Sequence, residues 1–211
     1  MEFLFLVFLI LQIIILIFSI VIHEVSHGAM ADYLGDPTAK YAGRLTLNPS
    51  KHLDLIGSVI VPLFLILTTG RGFGWAKPVP INPYNFRDQK YGSLKVALAG
   101  PGVNLAVALV FGLILRFSLA FISSSLASIF SSIIYLNIIL GVFNLLPIPP
   151  LDGSHVLFTF LPYSMQKIKI FLTQFGFFIL IFLIFFFPWF FQFLIYIVNW
   201  IFTIIVGAPL F

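Results

Sequence analysis

This sequence predicts an all-α polytopic membrane protein with about five spanning helices, and three observations predict it. Of its 211 residues, 61% are hydrophobic and only 9% charged, where a water-soluble domain carries about 25% charged residues. The apolar residues form runs long enough to cross a hydrocarbon core of roughly 30 Å at 1.5 Å per helical residue. Most of the charges collect in two polar segments, 32–54 and 70–95, instead of lining helix faces. Zero cysteines exclude a disulfide framework and a thiolate metal site. The net charge of +4, from 11 Lys and Arg against 7 Asp and Glu, is too weak and scattered for nucleic-acid binding. Its use is as a topology signal.

The first run, Phe3–Ile22, has only Gln12 and Ser19 as polar members, and it follows Glu2 with no basic residue. A secretory signal would open on Lys or Arg and end at a small-residue cleavage site, so a retained transmembrane helix is expected. The run Leu55–Leu67 contains Pro62 and, at about 13 residues, is too short to span, which predicts a re-entrant or interfacial segment. The runs Val96–Ile122, Leu126–Leu146, Ile170–Phe187 and Trp189–Val206 predict further spanning helices, with Pro188 marking the turn between the last two. Prolines 78, 80 and 83 exclude a regular helix in the second polar segment, and Trp75–Ile81 reads as a short, extended, edge-type strand, with a structured interfacial loop as the alternative. Residues 1–211 therefore read as a single membrane domain, with a core about 3–161 and C-terminal helices about 166–207. The Phe-rich final helices, with Trp189 and Trp200, read as anchors facing the lipid bilayer.

The end of the first run carries His23-Glu24-Val25-Ser26-His27. Residues four apart share a helical face, so both imidazoles can reach one metal ion with Glu24 beside it to handle a proton of water. Ionisable residues inside a membrane helix are costly, about 2.5 kcal/mol or more if unpaired, which favours function over a polar helix cap. A catalytic zinc site normally has three protein ligands and an open position, so a third ligand must come from elsewhere. Among the other acidic residues only Asp152 follows a long apolar helix, through Asn144-Leu145-Leu146-Pro147-Ile148-Pro149-Pro150-Leu151-Asp152-Gly153. Prolines there break the helix at membrane depth, where freed backbone groups are tolerated only around a buried or watered cavity.

HEVSHG at 23–28 and NLLPIPPLDG at 144–153, with AGRLTLNPSKHLDLIGS, GWAKPVPINPYNF and ALAGPGVN between them, resemble the site-2 protease family of intramembrane zinc metalloproteases. The resemblance covers Phe3 to about Leu161 and is to the compact branch that lacks an inserted PDZ domain. It implies Zn2+ as the cofactor, His23, His27 and Asp152 as its ligands, Glu24 as catalytic base and Asn144 as a candidate oxyanion donor. It further implies transmembrane protein substrates, cleaved in or near their membrane segments, and neither nucleic acid nor a small-molecule cofactor as partner. Ser154-His155 departs from the glycine and basic residue common in relatives, and His155 reads as a neighbour of the site or a surface histidine ahead of a ligand.

Topology supports the pairing independently. His23/His27 and Asp152 each lie at the C-terminal end of an apolar helix, so sharing a metal requires those two helices to run in one direction, with the helix from Val96 opposed. Lys40, Arg44, Lys51, Arg71, Lys77, Arg87, Lys90, Lys95, Lys167 and Lys169 then fall on one face and Arg116 near the other. That asymmetry predicts a bacterial-type cell membrane with the site toward the cytoplasmic side. Trp75, Val79, Pro80 and Ile81 are expected to hold an unwound substrate by strand addition. Ser26, Asn104 and Asn137 are candidates for a water path, with helix-helix hydrogen bonding the commoner duty of such residues. His52 reads as a loop histidine bonded to backbone, ahead of a second metal site with Asp54. Two rival functions stay open: a membrane metal transporter, and a catalytically silent binder of membrane substrates.

Overall fold

The computed structural model describes residues 2–69 and 74–207. Among the described residues, five helices are long and apolar enough to cross a membrane: α1 (Glu2–Tyr33), α4 (Gly92–Ser118), α5 (Ser124–Asn144), α7 (Gln166–Phe186) and α8 (Pro188–Val206). Three shorter helices, α2 (Thr38–Tyr41), α3 (Val61–Thr69) and α6 (Gly153–Phe160), lie between them. Pro188 takes the first position of α8, where its missing N–H costs nothing, so the break between the last two helices falls where the sequence puts it.

Buried polar contacts give the helix directions. Asn104 meets His23 and Val96 meets His27, so α4 runs antiparallel to α1. Gln12 meets Ser132 and Ser19 meets Asn137, so α5 runs parallel to α1. The His pair and the loop after α5 therefore arrive at the same end of the bundle. At the opposite end, Arg116 donates to Ile204 O at 3.2 Å in the last turn of α8, where a cation offsets the helix dipole. The largest buried cluster joins α4, α5 and α8 through Ala108, Leu115, Ile134, Ile138, Val198, Phe202 and Val206. A smaller one, Ala31, Leu34, Phe86 and Val96, fastens the polar loops to the site end.

Two expectations change, on the end of the first helix and on the strand, and the short apolar arm between them takes a definite form. The first helix continues past His27 to Tyr33, so the HExxH motif sits inside α1, with helical turns on both sides. Residues 55–69 form a helical arm, π-helical over Leu55–Ile60 and then α3. Its Leu55, Ile56, Leu63, Phe64 and Leu67 are exposed, and at about 22 Å it is shorter than a hydrocarbon core. Among the described residues there is no strand, so the extended strands expected around Trp75–Ile81 do not form a ladder. Alternate N–H groups there go to three unrelated acceptors: Trp75 to Gly57 O, Lys77 to His52 O and Val79 to Glu24. Pro78 and Pro80 on the other edge have no N–H to donate. Arg71, counted in the charge asymmetry, lies outside the described residues.

Candidate metal centre

His23 and His27 are four residues apart on α1, and both are buried at 6% exposure, well below the surface of the bundle. Their outer nitrogens are fixed by α4. His23 Nδ1 donates to Asn104 Oδ1 at 2.6 Å, and His27 Nδ1 donates to Val96 O at 2.7 Å. A main-chain carbonyl can only accept, so His27 carries its proton on Nδ1 and turns the Nε2 lone pair inward. Between those two contacts on the same face of α4 lies Gly100. A Cβ placed there would stand 2.4 Å from His27 Nε2 and 2.7 Å from His23 Cε1. Glycine is what lets the α4 backbone come this close.

Asp152 reaches the pair from α5's far end. After Asn144 the chain winds through successive tight turns, Ile148 N to Leu146 O, Leu151 N to Ile148 O and Ser154 N to Leu151 O, which carry Asp152 back under α1. Gly153 permits the return, since a Cβ there would lie 2.1 Å from Leu145 O. Asp152 Oδ2 stands 3.1 Å from His23 Nε2 and 3.3 Å from His27 Nε2, and the two Nε2 atoms are 3.0 Å apart. Asp152 Oδ2 is buried and accepts no hydrogen bond. With each imidazole neutral and protonated on Nδ1, three electron-rich atoms face one another. Such a cluster is repulsive by itself and is relieved by a cation at its centre. A tetrahedral site with ligand bonds of about 2.0 Å has ligand-to-ligand edges of about 3.3 Å. The two imidazoles and the carboxylate therefore fit a divalent metal, and zinc suits this donor set.

Glu24, half-buried, accepts at Oε2 from Val79 N–H at 2.9 Å. Val79 belongs to a segment secured at several points. Arg44, buried, donates from Nη2 to Lys77 O at 2.7 Å, and Asp36 accepts from Asn82 N–H at 2.6 Å and from Asn85 Nδ2 at 2.8 Å. Burial alone would raise the Asp36 carboxyl, but the Thr38 hydroxyl, the Asn82 amide and the Asn85 carboxamide together hold it below its ordinary value.

Not every expected site residue lies here. Trp75 packs on the Gly57 turn, Pro80 and Ile81 are half-buried, and of the four expected substrate-binding residues Val79 is the one bonded to Glu24. Asn144 donates its amide to Leu140 O at 3.0 Å, one turn back on its own helix. His52 is fully buried and donates from Nε2 to Thr46 O at 2.8 Å, and Asp54 caps the Gly57 N–H at 2.7 Å. His155 is exposed on the first turn of α6. Sequence reasoning missed Asp36 and Arg44 as anchors of the 77–85 segment. Asp36-Pro37-Thr38 carried a signal, since an Asp two residues before a free N–H is an Asx-turn pattern.

The profile of peptidase family M50 matches residues 116–183. The chain is 39% identical over 178 residues to "Putative zinc metalloprotease YwhC" of Bacillus subtilis, covering 81% of this chain and 78% of that protein. It is 34% identical over 170 residues to "Putative zinc metalloprotease Rip2" of Mycolicibacterium smegmatis, covering 79% of this chain and 63% of the relative. A third relative, "Putative zinc metalloprotease MJ0611" of Methanocaldococcus jannaschii, is 46% identical over 66 residues, 30% of this chain and 32% of its own length. No solved structure matches. With its membrane-spanning helices and its His-His-Asp cluster, the chain belongs to peptidase family M50, the site-2 protease family, and is a metalloprotease.

Proposed function

We propose that this chain is an intramembrane zinc metalloprotease that hydrolyses peptide bonds in or near the transmembrane segments of membrane proteins. The observation that carries this reading is the convergence of His23, His27 and Asp152 beside Glu24, at one end of a bundle of helices long and apolar enough to cross a bilayer. His23, His27 and Asp152 hold the metal. Zinc bound there supplies a Lewis acid that acidifies water and polarises a peptide carbonyl. Glu24 is the general base. With Oε2 held by Val79 N–H, its other oxygen takes a proton from the attacking water. As the water oxygen bonds to the carbonyl carbon and the C–N bond breaks, Glu24 returns that proton to the leaving amine. Asn144 serves as oxyanion donor once its amide leaves Leu140 O.

A transmembrane helix hides its carbonyls in its own hydrogen bonds, so the substrate must unwind before attack. The segment 75–81 is suited to receive it. Trp75, Lys77 and Val79 donate inward, so the outer edge presents the carbonyls of Ala76, Pro78 and Pro80 with one N–H, that of Ala76. An unwound substrate laid there is held mainly through its own N–H groups. Ser26, beside the His pair on α1, lines an open groove with Ala29, Met30, Tyr33 and Ala99 and is a candidate for admitting water to the site. The excess of Lys and Arg in the polar loops directs the site to the cytoplasmic side of a bacterial-type cell membrane. The apolar arm 55–69 dips into that leaflet beside the site.

The test is cleavage of a single-span reporter protein in liposomes by wild type and Glu24→Gln. A protease loses cleavage and keeps its zinc on that change. Metal transport unaffected by Glu24→Gln, or absence of cleavage by wild type across a panel of single-span substrates, would replace this reading with transport or silent binding.

A further inference from the structure

Asn104, on α4, is fully buried, as are its polar neighbours Asn137 at 1% exposure and Ser19 at 3%. The hydrogen bonds of the two amides can be counted, and the count settles their direction. Asn137 Nδ2 donates to Ile133 O at 2.8 Å and to Ser19 Oγ at 2.9 Å, so Asn137 Oδ1 must be the acceptor on its other side. Asn104 Nδ2 donates to that oxygen at 2.8 Å and to Ser19 O at 3.1 Å, which uses both of its protons. Two main-chain carbonyls, which can only accept, anchor the cluster, so neither amide can turn over without burying an unpaired group. Asn104 Oδ1 is thereby left facing His23, 2.6 Å from Nδ1. His23 must then hold its proton on Nδ1 and present Nε2 as a lone pair.

We infer that Asn104 is a positioning residue of the metal centre: through its fixed carboxamide it locks His23 in the one tautomer and ring orientation that can bind a metal. His27 gets the same instruction from the carbonyl of Val96, which no substitution of that side chain removes. His23 depends on a side chain alone. Asn137 and Ser19 act one bond further out, by denying Asn104 its flipped orientation. The lock stands in the membrane-spanning part of α1, α4 and α5, where water is scarce as a substitute partner. An imidazole ligand whose second nitrogen loses its partner typically binds metal 10–100-fold more weakly. The inference rests on the metal-site reading above, and goes beyond it by assigning work to a residue that touches neither metal nor substrate.

The experiment is zinc affinity of the detergent-purified full chain, by competition with a chelator of known affinity, for wild type, Asn104→Leu, Asn104→Ala and Asn104→Asp. Leucine and alanine remove the acceptor. Aspartate keeps an acceptor toward His23 while losing both donations. Leucine and alanine are expected to weaken zinc binding about 10–100-fold, and aspartate to restore it close to wild type. A role in helix packing alone predicts that aspartate, which leaves Asn137 Oδ1 and Ser19 O unpaired, does as badly as leucine, and that result overturns the inference. Zinc bound as tightly by leucine and alanine as by wild type overturns it too. If neither truncated variant folds, the aspartate variant decides alone, by keeping or losing zinc. Wild type that binds no zinc brings down the metal-site reading itself, which distinguishes the two failures.

Discussion

Replacing Gly100 with alanine is expected to damage the metal centre without touching a ligand. The added methyl would stand 2.4 Å from His27 Nε2, 2.6 Å from His27 Cε1 and 2.7 Å from His23 Cε1. Ordinary carbon contacts lie near 3.5 Å or beyond, so the overlap is about 1 Å on both rings. Neither ring can yield sideways, because Nδ1 of each is bonded to α4 itself, at 2.6 and 2.7 Å. Moving α4 back by about 1 Å would stretch both bonds past the roughly 3.2 Å limit of a good hydrogen bond. Such overpacking costs about 1–3 kcal/mol of stability, and loss of the outer partners weakens zinc about 10–100-fold. Gly102 provides the control, since a Cβ there meets nothing within 4 Å. In that position alanine removes a helix-weakening glycine and should stabilise α4 by up to about 1 kcal/mol. Zinc content after dialysis against chelator, together with thermal unfolding in detergent, reads both variants. Wild-type zinc retention in Gly100→Ala, or equal damage from Gly102→Ala, would refute the close-approach argument.

Val79→Pro deletes the N–H that holds Glu24 Oε2, and cleavage should fall on the order of 10²-fold, as for other misplaced catalytic groups, with zinc retained; unchanged cleavage would show that the tether is idle. A reporter peptide N-methylated at alternate residues around the scissile bond should be cut poorly, because the 75–81 edge offers mostly acceptors; normal cleavage would remove strand addition from the account. Asp36 makes the loop acid-sensitive. Its carboxyl is depressed in the folded state, so its contribution is present above its unfolded pKa of about 3.9 and disappears as pH falls through the lower folded value. Protease nicking between residues 74 and 90 should therefore rise below about pH 4, and Asp36→Ala should produce it at neutral pH, at a cost of about 1–3 kcal/mol. A loop equally resistant in both would contradict the anchoring role.

The helices and the metal cluster were legible because each depends on local pattern. Apolar run length gives the spans, and four-residue spacing puts His23 and His27 on one face. Asp152 stood out only beside HExxH, since an acidic residue after a proline-broken helix is by itself as readily part of an ordinary turn. What the sequence hid is set by tertiary contact. HExxH looked like a helix end because apolarity stops at His23, yet α1 continues to Tyr33, its last turns buried against Phe86 and Val96. The segment 75–81 has strand composition but no partner strand, so its N–H groups go one by one to Gly57, His52 and Glu24. Asn104 stood out as polar in an apolar helix. That it aligns His23 follows only when the antiparallel packing of α4 on α1 brings positions 96, 100 and 104 opposite 27 and 23.

The central claim is that α1 and the loop after α5 share one metal ion. Metal content by mass spectrometry on detergent-purified wild type, His23→Ala and Asp152→Ala tests it most directly. The account predicts about one zinc per wild-type chain, the stoichiometry of a single three-ligand site, lost in both variants. Zinc absent from freshly prepared wild type, or retained in Asp152→Ala, would contradict it.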